Sequence, residues 1–221
     1  MTDASTEEDQ TDINKRRARG EFVRGVSGFR HAIGDPLFPT EPDRYHLFVA
    51  LNCPWCHRVT LARNVLGLQT SITMDVAFPN RTSDDDPEAP NLWEFAPDRI
   101  ASLTGETLPE CTSETGTGKG LRLAKEIYRA EGSEEQSLPI LYDKIQGLIV
   151  NNESAEIVRM LDAAADSLGS TIPAAERVRL YPDEELHQQF HDLTERIYTT
   201  INNGAYKAGF SSDQTIYKTA F

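Results

Sequence analysis

Two cysteines one helical turn apart, in the run Cys53-Pro54-Trp55-Cys56, constrain this chain more than anything else in it. Residues 44–50 (RYHLFVA) precede them, alternate weakly and end apolar, as a buried strand does. Residues 54–66 follow as a helix. Pro54 suits the first helical position, where its missing N–H costs no hydrogen bond, and Gly67 suits the stop at the far end. Cys53 is therefore predicted immediately before a helix start. Free backbone N–H groups and the positive end of the helix dipole meet there, and both stabilise an anion. A thiol is a nucleophile only as thiolate, and a free cysteine is mostly protonated near neutral pH. Cys56, one turn into the helix, is expected to be more buried.

Four readings of the motif compete. The strand before it and the helix after it favour a redox or thiol-transfer site. With His57 the run also matches C-x-x-C-H, the haem c attachment pattern, but there is no export signal and no obvious distal ligand. A zinc site needs a second ligand pair. Cys111 and the scattered histidines do not supply one, so no metal is expected. The fourth reading is two buried cysteines without chemistry. Three cysteines are too few for a disulfide framework.

The rest of the chain fits the first reading. Residues 71–78 read as a second strand and residues 79–120 as a long polar excursion. Residues 121–131 read as a helix, 138–142 and 148–150 as short strands joined near Gly147, and 153–161 as a helix. The order β-α-β, long connection, α-β-β-α is that of the thioredoxin fold. Residues 1–43 read as a flexible tail and an irregular lead-in, 44–165 as the thioredoxin-like thiol-binding domain. Residues 183–221 read as the start of an all-α domain, with Leu186, Phe190, Leu193 and Ile197 on one helical face and a further helix from about Asp213.

The charge balance narrows the partners. With 35 acidic and 22 basic residues the net charge is −13, which repels phosphate backbones and argues against nucleic acid. The first ten residues lack the basic and apolar regions of a secretory signal. The apolar runs are too short to span a bilayer. The default expectation is a cytoplasmic enzyme.

Two further stretches could bind a small thiol. Pro139, at a strand start after Leu138, is typically cis in thioredoxin-like folds. It then turns the N–H and C=O of the preceding residue toward the active sulfur. A proline at the first position of a strand is also structurally unremarkable. The run Asn151-Asn152-Glu153-Ser154-Ala155-Glu156 opens a helix, and helix N-termini bind carboxylates. Ser154 can add a hydroxyl and Glu153 can receive an ammonium, so a γ-glutamyl group would find both partners. Plain capping by Asn and Ser accounts for the same residues.

On these residues the chain resembles the Xi-class glutathione transferases, the glutathionyl-hydroquinone reductase family. The resemblance runs from about Gly20 to the last residue and is strongest in three blocks, 44–67, 138–161 and 197–217. The third carries the class-marking run Asn202-Asn203-Gly204-Ala205-Tyr206, continuing to Gly209-Phe210. The resemblance implies a thioredoxin-like domain followed by an all-α glutathione-transferase domain, in a homodimer. It implies Cys53 as nucleophile and a thiol site of Trp93, Leu138, Pro139, Glu153 and Ser154, with Tyr206 beside a quinol pocket. Glutathione or a similar thiol would be co-substrate, and no bound cofactor is implied.

The chain departs from the family in four places. Alanine or serine usually stands where Cys56 does. An arginine usually precedes the cis-proline, but here the region is Glu134-Glu135-Gln136, unless Arg129 takes that role. Residues 98–118 do not follow the pattern. Family members also run roughly a hundred residues further, so the helical domain is expected to be incomplete. The function implied is reduction of S-glutathionyl-hydroquinones through a mixed disulfide on Cys53. The missing arginine suggests tolerance of a thiol without the terminal glycine, such as γ-glutamylcysteine. The rivals are a glutaredoxin-like thiol–disulfide oxidoreductase using Cys53 and Cys56, and a truncated remnant without catalysis.

Overall fold

The computed structural model describes residues 10–83, 85–105, 116–181 and 184–220. Cys111, Asp84 and the first nine residues of the expected tail lie outside them. The described residues form two units, Ser27–Tyr181 and the two chain ends, up to Val26 and from Glu184.

The larger unit is built on a four-stranded sheet in the order β2-β1-β3-β4, with β1 Tyr45–Val49, β2 Thr73–Val76, β3 Ile140–Asp143 and β4 Leu148–Asn151. All five residues of β1 are buried, as expected of a central strand covered on both faces. Strand β1 leads into helix α2, Pro54–Val65, which returns the chain to β2 parallel to β1. The helix ends where the sequence predicted. Gly67 has φ +68, its N–H donates to the Asn64 carbonyl, and the Leu68 N–H reaches back to the Arg63 carbonyl at 2.9 Å. That is a Schellman stop, which needs a left-handed residue.

Strands β3 and β4 form an antiparallel hairpin beside β1. Asp143 shapes its turn, accepting from the N–H groups of Ile145 at 2.8 Å and Gln146 at 3.0 Å. The same buried carboxylate receives the Arg44 Nε at 2.7 Å. Helix α5, Ser154–Ala164, follows and packs on α2, with Val59, Ala62, Ile157 and Leu161 in one hydrophobic core with Leu47, Val49 and Leu141. This is the thioredoxin-like arrangement expected from the sequence.

The excursion between β2 and β3 is more ordered than its composition suggests. It contains helices α3, Pro97–Thr104, and α4, Ala124–Arg129, of which only α4 was expected. Glu94 organises it. Its carboxylate is buried and pairs with Arg99 and Arg122, and its backbone forms an isolated β-bridge to Leu123. The lead-in is fixed as well. Arg30 bridges Asn151, and the His31 N–H donates to the Val150 carbonyl at 3.0 Å, along the outer side of β4.

The second unit is helical. Residues 10–18, expected as flexible tail, instead form helix α1, Gln10–Ala18. Lys15, Arg16 and Arg17 sit in its last turn, where cations complement the helix dipole, so local charge favours a helix that apolar periodicity could not signal. The other helices are α6, Glu184–Ile197, α7, Asn203–Gly209, and α8, Gln214–Ala220. A π-helical turn, Tyr198–Asn202, joins α6 to α7 at Asn202 and Asn203. Phe22, Tyr206 and Phe210 form an aromatic cluster with ring centroids 5.5–5.6 Å apart. Among the described residues no helix is long and apolar enough to cross a membrane.

Candidate active site

Cys53 is the N-cap of α2, in extended conformation, with its N–H held by the Ala50 carbonyl at 3.0 Å. The strand–turn–helix geometry leaves its side chain half-buried at the helix start. The sulfur faces the Leu138 carbonyl oxygen at 3.8 Å. The Leu138–Pro139 bond is cis, and Leu138 itself is buried.

The two thiols are driven apart in acidity. Cys53 is lowered from 9.0 to about 6, first by a hydrogen bond from the Cys56 thiol. Burial opposes the shift, and the backbone N–H groups of Cys56 and Trp55 and the charge of Arg81 support it. Cys56 is raised well above its ordinary value, by burial and by its bond to Cys53. The pair therefore resolves into a half-buried thiolate and a buried thiol that donates to it. The N–H donors follow from the helix start, whereas the larger influence of Cys56 depends on the fold around it.

The loop after β2 comes to the motif from the side. Asn52 Nδ2 donates to the Pro79 carbonyl at 2.6 Å. Two residues on, Arg81 lies over the buried Trp93 ring at 4.6 Å and donates to the Asn91 carbonyl at 3.1 Å. Arg81 was missed at the sequence level. The available signal was a basic residue just ahead of the Asp84-Asp85-Asp86 acidic run.

The other flank is α5. Glu153 caps it, one carboxylate oxygen accepting from the Ala155 N–H at 3.2 Å and the other from the Ser27 hydroxyl at 3.2 Å. Ser154 is buried at the first helical position. The cap is thus Glu153, rather than the Asn or Ser of the plain-capping alternative. Asn152 ties this flank toward the cis-proline, since its Nδ2 donates to Glu135 at 2.6 Å and to the Tyr128 hydroxyl at 3.1 Å. Tyr128 in turn donates to the Ser137 carbonyl at 3.0 Å. Sequence reasoning missed both Asn152 and Tyr128 in this role.

Arg129 is exposed and forks onto Glu134, with Nε and the terminal nitrogen 3.2 and 3.3 Å from its two oxygens. Tyr206 belongs to the helical unit, where Arg24 lies 4.4 Å from its ring centroid.

The model of the glutathione S-transferase N-terminal domain matches residues 52–164, more than half of the chain. The chain belongs to the glutathione S-transferase family. This transferase chain is 35% identical over 213 residues to the glutathionyl-hydroquinone reductase YqjG of Escherichia coli (strain K12), covering 91% of the chain and 58% of that relative. It also resembles the solved glutathione-S-transferase Xi from Phanerochaete chrysosporium, at 33% identity and a TM-score of 0.74, over 91% of the chain and 59% of that structure. A third match is the Xi glutathione transferase ECM4 from Saccharomyces cerevisiae in complex with glutathione, at 27% identity and a TM-score of 0.72, over 91% and 62%. The transferase chain thus spans somewhat over half the length of the relatives it matches.

Proposed function

We propose that the chain is a thiol-dependent reductase of S-glutathionyl-hydroquinones with Cys53 as nucleophile. The observation that carries this is the half-buried Cys53 sulfur at the start of α2, facing the Leu138 carbonyl, with its pKa lowered to about 6. Its likeness to a glutathionyl-hydroquinone reductase supports the substrate class. The Cys53 thiolate attacks the sulfur of the thioether. The carbon–sulfur bond breaks, and its electron pair goes to the ring carbon, which takes a proton. The hydroquinone leaves reduced, and the thiol remains as a mixed disulfide on Cys53. A second small thiol attacks that disulfide and leaves as half of a small-molecule disulfide, restoring the low-pKa Cys53 thiolate.

The thiol is held at its cysteinyl backbone by Leu138 before Pro139, at its side by Trp93, and at its γ-glutamyl end by Glu153 and Ser154. Tyr206 serves the quinol ring. Glutathione is the co-substrate by likeness to the glutathione complex of ECM4. The fork between Arg129 and Glu134 supports a finer reading. The one cation expected near the terminal glycine carboxylate is already engaged, so γ-glutamylcysteine serves as well as glutathione. A cytoplasmic homodimer completes the proposal.

Intact-mass analysis after incubation with an S-glutathionyl hydroquinone tests it. We expect free hydroquinone and, before the second thiol is added, one thiol's mass on Cys53. Hydroquinone release by Cys53→Ser at the wild-type rate would sink the proposal.

A further inference from the structure

The reaction above uses Cys53 and leaves the second cysteine of the motif without a chemical step. We propose that Cys56 is a resolving thiol, giving the chain a thiol–disulfide exchange activity of its own. In this step the Cys56 sulfur attacks the mixed disulfide on Cys53 and closes a Cys53–Cys56 bond. The inference rests on Cys53 being the thiol that takes up the adduct.

Position comes first. Cys53 is the N-cap of α2 and Cys56 lies one turn on. Residues three apart on a helix have Cβ atoms about 5–6 Å apart. A disulfide needs its Cβ atoms closer, about 3.5–4.5 Å apart, and Cys53 is the residue that can move in, because as the extended N-cap it lies outside the regular helix. In the reduced form Cys56 is already the largest influence on the acidity of the Cys53 sulfur, so the two thiols lie within interaction range before any adduct forms.

Burial then decides what Cys56 can react with. It is fully buried in the core alongside Val59, whereas Cys53 is only half-buried. No dissolved disulfide or electrophile reaches Cys56 directly. Among the described residues, the sulfur that can come to it as an electrophile is Cys53 carrying an adduct.

Protonation fits the same order of events. While Cys53 is a thiolate, the Cys56 proton is held in the bond between them, and the neighbouring negative charge disfavours a second anion. Capping Cys53 as a mixed disulfide removes that charge. The Ala50 backbone, which acts to lower the Cys56 value, then favours the thiolate that forms. Cys56 is thus restrained while Cys53 is free and released once Cys53 is loaded.

The step balances. The Cys56 S–H bond breaks and the Cys53–Cys56 bond forms. The bond between Cys53 and the small thiol's sulfur breaks, and the expelled thiolate takes the proton that Cys56 gave up. The two protein sulfurs end oxidised as a disulfide, and the expelled sulfur is reduced. Two equivalents of a low-molecular-weight thiol reopen the bridge and leave as their own disulfide.

The test uses the full chain, reduced and then exposed to glutathione disulfide as the probe. Acid quenching, alkylation of remaining thiols and intact-mass and peptide mapping follow. We expect the wild type to lose two hydrogens, with the bridge mapped between Cys53 and Cys56. Cys56→Ser keeps a hydrogen-bond donor but cannot form the bridge, so it should stall with one glutathione on Cys53. The wild-type arm stands by itself if that variant fails to fold. A persistent wild-type mixed disulfide with an alkylatable Cys56, or a bridge to Cys111, overturns the inference and leaves Cys53 as nucleophile. Absence of both the bridge in the wild type and an adduct in Cys56→Ser overturns the underlying reading as well.

Discussion

The guanidinium of Arg81 stands 4.6 Å from the centroid of the Trp93 ring, and its charge is among the causes that lower the Cys53 pKa. It is the last of those causes, after the Cys56 thiol and the backbone N–H groups. Arg81→Ala should therefore move the midpoint of Cys53 alkylation upward from about 6, but by less than loss of the Cys56 donor does. Alkylation rates measured against pH give the ranking. An unchanged midpoint would remove Arg81 from the site.

The Cys56 donor should matter more. A hydrogen bond to a charged group is worth about 1.5–3 kcal/mol, and one pKa unit is about 1.4 kcal/mol, so on the order of one unit is at stake at a half-exposed sulfur. Cys56→Ala should raise the alkylation midpoint by about that much, while Cys56→Ser should largely restore it. A Cys56→Ala midpoint unchanged from the wild type would show that the bond contributes nothing.

The shift of Cys53 also ties stability to pH. Its folded value, about 6, lies below its ordinary 9.0, so the folded state favours the thiolate. The resulting stability is fully present above 9.0 and is lost as pH falls through about 6. The melting temperature of the wild type minus that of Cys53→Ser should therefore rise between those two limits. A flat difference would mean that the thiolate is not preferred in the fold.

Arg129 offers a test of thiol choice. Glu134 holds it, and Lys125 shares that carboxylate at 3.1 Å. Glu134→Gln should release Arg129 and raise mixed-disulfide formation from glutathione relative to γ-glutamylcysteine. The change should be a few-fold at most, because exposed charges are screened. A strong wild-type preference for glutathione that disappears in Arg129→Ala would show instead that Arg129 already binds the glycine carboxylate.

Asp143 is a residue whose loss should cost the fold heavily. It is fully buried, pairs with the buried Arg44 at 2.7 Å and holds the β3–β4 turn. Removing one partner of a buried pair costs about 3–5 kcal/mol. Asp143→Ala should lose that much in urea denaturation. A loss near zero would mean that water replaces the carboxylate without penalty.

The legible parts of the chain were those punctuated locally. Pro54 and Gly67 bracket α2, and the strand before them is apolar, so the nucleophile's place at a helix start followed from a short window. The Leu138–Pro139 cis bond and the buried Ser154 lay where the pattern put them. What escaped depended on partners distant in sequence or on charge. Glu94 looks like a surface residue until Arg99 and Arg122 neutralise it, so α3 and the order of the excursion were invisible. Helix α1 has too few apolar residues for periodicity to mark it. Arg81 reaches Trp93 across a polar loop that no spacing rule covers.

The lead-in that runs along β4 has a consequence for the chain's solubility. An outer strand with free N–H and C=O groups invites another chain to pair with it. Here the bridge at Arg30 and the bond from His31 occupy that side, and the Arg30–Glu156 ion pair clamps the segment down. Residues 29–31 thus serve as a selvedge that keeps the weave from joining its neighbour. Trimming the chain to the start of the sheet, a natural choice when cutting out a minimal domain, would strip that selvedge and turn β4 into a template for aggregation.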